Sequence, residues 1–150
     1  MTAPLFLDDL QVGQRFASGC CRLDAAAIQR FAQEYDPQAF HLDDGEARKS
    51  LFQGLAASGW HTAALTMRLL VESEFRPAGG IIGGGLDELR WHQPVRAGDE
   101  LRLEIEILEI RASRSRPEQG MAKVRVVTLN QHQQPVQTYV GNLVVQRRPR

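Results

Sequence analysis

At 150 residues the chain has the length of one ordinary domain, with 43% apolar and 24% charged residues, the balance of a soluble globular protein. Eighteen basic and eighteen acidic residues cancel to a formal net charge of zero, so no overall field recruits nucleic acid or an anionic membrane. The basic tail, Arg147, Arg148 and Arg150 around Pro149, reads as a solvated terminus rather than a nucleic-acid patch.

The opening "MTAPLFLDDLQVGQ" has neither a basic start nor a long apolar run, so no secretory signal or transit peptide is expected. "FASGCCRLD" reads as a short strand. Its adjacent Cys20 and Cys21 rarely bridge without strain, and they read as reduced thiols packing in a cytoplasmic protein. Asp24 then caps a helix over 25–35, where Ala27, Ile28, Phe31, Ala32 and Tyr35 recur at spacings of three and four. Pro37 stops that helix by disfavouring the helical conformation at Asp36, which places the acid at a helix exit entering a loop. His41 follows five positions later, beside Phe40.

Asp43 and Asp44 suit the start of a short helix, "GEARKS". The longest helix is expected over about 58–75, with Ser58 as its N-cap. Trp60, Ala63, Ala64, Met67, Leu70 and Val71 line one side and Leu65 and Leu69 widen the stripe, so this helix should be nearly enclosed. Arg68 interrupts it well short of a membrane span.

The second half changes period. "GGIIGGG", 79 to 85, fits neither a dinucleotide fingerprint nor a P-loop and reads as a lead into the strand "GLDELRWHQPV". In "ELRLEIEILEIRA", Leu101, Leu103, Ile105 and Ile107 alternate with charged residues, the mark of a half-buried strand. "MAKVRVVTLN" and "VQTYVGNLVVQ" follow as two more strands joined by turns. Helices followed by a run of antiparallel strands give an α+β single domain over 1–150, with the sheet wrapped around one long central helix. His61 is open between core, pocket and surface, and His92 and His132 read as solvated. No His, Cys, Asp and Glu set has convincing metal-ligand spacing, so no metal is expected.

Three stretches together resemble the MaoC-like acyl dehydratases, or (R)-specific enoyl-CoA hydratases, which have the hot-dog fold. They are Asp36 to His41, the "AASGWH" opening of the long helix, and "LRWHQPVRAGDEL" at 89–101. Family members carry a pattern close to Gly-Asp-x-Asn-Pro-x-His. Asp36 and His41 match it in identity and spacing, whereas Tyr35 replaces Gly, Gln38 replaces Asn, Ala39 replaces Pro, and a proline sits at 37 instead. Alone, an Asp before Pro reads as a turn residue and a His near apolar neighbours as packing. The resemblance is what assigns the pair to catalysis.

It implies reversible hydration of a 2-enoyl thioester, with acyl-CoA or an acyl-carrier thioester as substrate, no membrane or nucleic-acid partner, and no cofactor beyond the CoA of the substrate. Asp36 and His41 would handle the water. Gly59 would place a helix N-terminus at the thioester oxygen, consistent with the unpartnered N–H groups there. An alanine at 59 would then leave stability nearly unchanged. Phe40, Ser58 and Trp60 would contact the acyl group, with Arg48, Lys49 and Arg96 as candidates for CoA phosphates. A homodimer or dimer of dimers is implied too. Two alternatives stand beside it. One is a hot-dog thioesterase. Many of those place a catalytic carboxylate on the central helix, whereas here Glu72 and Glu74 come only at its far end, which counts against hydrolysis. A non-catalytic acyl-binding module is the other.

Overall fold

The computed structural model describes residues 3–150. Helix α1, Ala25–Tyr35, begins where the Asp24 carboxylate accepts the Ala27 N–H at 2.8 Å. Ile28 and Ala32 bury its inner stripe, while Tyr35 at its end is exposed. The chain leaves the helix at Asp36, with φ −152° and ψ 68°, as the following proline requires.

The stretch from Asp36 to His41 is not the open loop expected. Ala39–Leu42 forms a single helical turn, α2, carrying His41, and Asp44–Arg48 forms α3 behind the Asp43 cap. Proline is harmless just ahead of a first turn, so Pro37 ends one helix without preventing the next.

Helix α4, Gly59–Val71, starts at the expected cap but ends before 75. Ser73 is the reason: its hydroxyl donates to the Leu70 carbonyl at 2.6 Å and accepts the Phe75 N–H at 3.1 Å, which turns the chain. Leu69, Leu70 and Phe75 are buried, but Trp60, Met67 and Val71 are exposed. One face of α4 is therefore open, contrary to a nearly enclosed helix.

The expected first strand is two short ones, β1 (Arg15–Ala17) and β2 (Cys21–Arg22), both paired with β4. Cys21 packs against the core, whereas Cys20 is exposed; both are free thiols. Strands β3 (Ile82–Trp91), β4 (Glu100–Ala112), β5 (Gln119–Leu129) and β6 (Pro135–Gln146) complete an antiparallel sheet in the order β1-β4-β5-β6-β3. Leu103, Ile105 and Ile107 of β4 and Val124 and Val126 of β5 point into the core beneath α4, as their alternation predicts. Gly83, Gly84 and Gly85 lie inside β3 rather than leading to it, where the register shifts. Among the described residues no helix is long and apolar enough to cross a membrane.

This topology brings four chain segments together: the exit of α1, the turn α2, the N-terminus of α4 and the end of β3.

Candidate active site

Asp36 and His41 meet. The Asp36 Oδ2 atom lies 3.3 Å from His41 Nε2. His41 is 4% exposed, and its other ring nitrogen, Nδ1, lies 2.6 Å from the Ala56 carbonyl oxygen. A carbonyl only accepts, so Nδ1 carries a proton and Nε2 is the nitrogen turned toward Asp36. The Phe40 and His41 rings meet in a T-shaped contact with centroids 4.6 Å apart, and Phe52 tilts beside both rings.

The Asp36 carboxylate is held from both sides. Gln38 Nε2 donates to Oδ1 at 2.6 Å and the Ser58 hydroxyl donates to Oδ2 at 2.7 Å. Burial alone pushes this carboxyl's pKa up, but the hydrogen bonds from Ser58 and Gln38, with nearby His41, outweigh it and leave the group below its ordinary 3.8. Asp36 is thus ionised at neutral pH. Gln38 stands where the family pattern has Asn, and its longer amide still reaches the acid.

Ser58 works in two directions. Its Oγ also accepts the Trp60 N–H at 3.2 Å, while its carbonyl takes the His61 and Thr62 N–H groups. Among the described residues no acceptor meets the Gly59 N–H, so this donor at the positive end of α4 is free. Ser58 itself is fully buried. The expected substrate-contacting hydroxyl is instead committed to Asp36 and the helix cap.

Gly59, His41, Phe52, Thr62 and Trp91 line one cavity of about 360 Å³. Gly59 faces Trp91 more closely than expected: a Cβ built at 59 would lie 2.6–2.8 Å from indole atoms. Trp60 is 58% exposed and meets Trp91 in a T-shaped contact, ring centroids 5.3 Å apart, so it touches a wall of this cavity without lining it.

Several other candidates lie elsewhere. The Arg96 guanidinium donates to the Gly54 carbonyl at 2.7 Å, the Leu55 carbonyl at 3.2 Å, and the Phe52 carbonyl, so it staples a loop rather than presenting a free cation. Arg48 and Lys49 are exposed and pair with Asp44 and Glu46. Buried His61 stacks on Phe31 at 4.6 Å; burial, then the charge of Arg30, lowers its pKa and keeps it neutral. His92 and His132 are exposed as expected, with His92 bonded to Thr138. Helix α4 holds no carboxylate between 59 and 71; Glu72 pairs with Arg68, and Glu74 accepts the Ala17 N–H. That counts against the thioesterase alternative, many of whose members place the acid on this helix. Among the described residues no cluster of three or more His, Cys, Asp or Glu has the geometry of a metal site.

A family profile for the MaoC-like domain matches residues 11–130. The uncharacterized protein YdeM of Bacillus subtilis (strain 168) is 34% identical over 139 residues, 93% of this chain and 96% of its own. Among solved structures, the MaoC-like dehydratase from Rhodospirillum rubrum is 55% identical, with a TM-score of 0.94 over 97% of this chain and 99% of that one. The (R)-hydratase from A. caviae involved in PHA biosynthesis shares 27% identity and a TM-score of 0.69, covering 93% and 98%. A profile spanning most of the chain, and a sheet wrapped around one helix in common with these structures, show that the chain belongs to the MaoC-like dehydratase family and has its hot-dog fold.

Proposed function

We propose that this protein catalyses the reversible hydration of a 2-enoyl thioester, an acyl-CoA or acyl-carrier thioester, to its 3-hydroxyacyl form. The observation that carries the reading is the 3.3 Å approach of Asp36 Oδ2 to His41 Nε2 beside a free helix N-terminus. With Nδ1 tied to Ala56, Nε2 is the ring nitrogen turned toward Asp36 Oδ2. An acid and an imidazole this close suit the handling of a single water and its protons.

In the hydration direction the water oxygen forms a bond to the β-carbon and a water proton passes to the Asp36/His41 pair. The alkene electron pair moves toward the α-carbon and thioester oxygen, whose negative charge the Gly59 N–H stabilises. Protonation of the α-carbon by the pair completes the addition. Phe52 lines the cavity next to His41, Phe40 packs against both rings, and Trp60 backs the Trp91 wall. The proposed chemistry draws on these side chains alone and uses CoA only as part of the substrate.

The same reading includes a homodimer or a dimer of dimers. Strand β3 lies at the edge of the sheet, and Ile82, Leu86 and Trp91 on it are exposed. An unpaired edge with apolar side chains is a liability unless a second copy covers it.

Loss of enone absorbance on adding a panel of 2-enoyl-CoA substrates, with free thiol assayed in parallel, tests the activity. Loss without thiol release is the expected result. Release of thiol at the same rate would replace hydration by hydrolysis.

A further inference from the structure

One row of the sheet breaks the apolar rule. Across the inner face beneath α4, Leu103 pairs with Thr128, Thr128 with Gln137, and Gln137 with Trp91, one residue from each of β4, β5, β6 and β3. The next row, Ile105, Val126 and Tyr139, has no such amide or aliphatic hydroxyl. Thr128 and Gln137 are fully buried, as is Thr66, which reaches down from α4.

These groups satisfy one another. The Thr66 and Thr128 hydroxyls pair at 2.7 Å, Gln137 Nε2 donates to Thr66 Oγ1 at 3.1 Å, and Trp91 Nε1 donates to Gln137 Oε1 at 2.8 Å. Buried polar groups cost stability unless each is bonded, so aliphatic residues here would be the simpler way to pack α4. What the row adds is orientation. It ends on one indole and fixes its rotamer. The ring then lies against Gly59 and meets Trp60 edge-on, so three separate contacts hold it.

We propose that Trp91 is the specificity-determining wall of this site, restricting it to short 2-enoyl groups, and that Gln137 is the positioning residue that keeps the indole there. The inference rests on the hydratase reading for the identity of the substrate. A cavity of about 360 Å³ lies near the small end of ligand pockets, which run from about 300 to 1,000 Å³. Trp91 is its largest lining side chain and sits at the end of an edge strand, where shortening it opens space without removing core.

The test compares kcat/KM for crotonyl-CoA and 2-octenoyl-CoA in wild type, Trp91→Ala and Gln137→Leu. Calorimetric affinities for butanoyl-CoA and octanoyl-CoA are measured alongside. Wild type should prefer the short chain in both assays. Trp91→Ala should raise the long-to-short ratio by about 10-fold or more, the scale of discrimination for even one methylene in an apolar pocket. Gln137→Leu should move the ratio the same way by less, because the ring remains but is no longer held. Trp91→Phe, which keeps a ring without the Nε1 donor, covers the case in which Gln137→Leu does not fold. A merely structural role would lower both substrates in parallel. An unchanged ratio in Trp91→Ala, or a wild type that prefers the long chain, overturns the inference and leaves the hydratase reading intact. A wild type that hydrates neither enoyl-CoA overturns the hydratase reading, and the affinity ratio then decides the role of Trp91 by itself.

Discussion

The Ser58 hydroxyl donates to Asp36 Oδ2 at 2.7 Å while accepting the Trp60 N–H at 3.2 Å, so one side chain links the candidate acid to the N-terminus of the central helix. The carboxylate that would handle water and the N–H that would hold the thioester oxygen are thus set relative to each other by a single residue. Neither can move far without the other.

Ser58→Ala should separate these effects by pH. It removes a hydrogen bond that lowers the Asp36 pKa, so that pKa should rise. A carboxyl with a depressed folded pKa gives stability that is present above its ordinary 3.8 and lost as pH falls through the folded value. The variant should therefore show a smaller acid-dependent loss of stability. The acid limb of its rate profile should shift upward. Loss of the cap should lower stability by about 0.5–2 kcal/mol at neutral pH as well. An acid limb that stays in place would show that Asp36 ionisation does not control the rate.

Asp36→Asn and His41→Ala should each remove most turnover while leaving the fold intact. General acid–base groups contribute about 10²–10⁴-fold. Because both residues act on one water in the proposed mechanism, the double variant should cost far less than the product of the single losses. Independent, multiplicative losses in steady-state kinetics would mean that the two do not share a step.

Arg96 was a candidate for a CoA phosphate, and its position argues for another role. It staples the loop that runs from Phe52 to Leu55, just before the Ala56 carbonyl that fixes the His41 ring. Arg96→Met should destabilise the protein by about 2 kcal/mol, within the about 1.5–3 kcal/mol of hydrogen bonding by a charged donor. The site is only half-buried, so solvent can take up part of what is lost. For a chain of this size that is a fall in Tm of about 4–8 °C. KM for the CoA thioester should change little. A large rise in KM with an unchanged Tm would restore the phosphate role.

The sequence made the architecture legible because it is written in periodicity. The 25–35 stripe gave α1, the Leu101–Ile107 alternation gave β4, and Ser58 gave the start of α4. It also brought Asp36 and His41 together through family spacing. Three features were not legible. The single turn at Ala39–Leu42 is too short to show a period. The end of α4 depends on the Ser73 side chain, whose choice of the Leu70 carbonyl is a local competition that pattern does not record. The Thr128–Gln137–Trp91 row depends on register between strands far apart in the chain. Its one visible trace was a glutamine at an inward position of the last strand.

Gly59→Ala is where the structure changes the expected outcome most. From sequence, a glycine at the first position of a helix should tolerate alanine, and alanine is intrinsically the better helix former by about 0.8–1.0 kcal/mol. Yet the Cβ would sit 2.6 Å from Trp91 Cε2, and that indole is pinned by Gln137 and flanked by Trp60. Overpacking of this kind costs about 1–3 kcal/mol, so the clash should win and Tm should fall. Turnover should fall as well, by up to about 10²–10³-fold, the scale for losing one oxyanion donor, if moving α4 away from the ring carries the Gly59 N–H off line. The partner experiment places the same substitution in Trp91→Ala. With the indole gone, Gly59→Ala should be neutral or slightly stabilising, so the two substitutions are strongly non-additive. Thermal melts of the four proteins in this cycle decide it. A cost at 59 that persists without the indole would mean that the glycine is required by its own backbone, and that Trp91 is not what it makes room for.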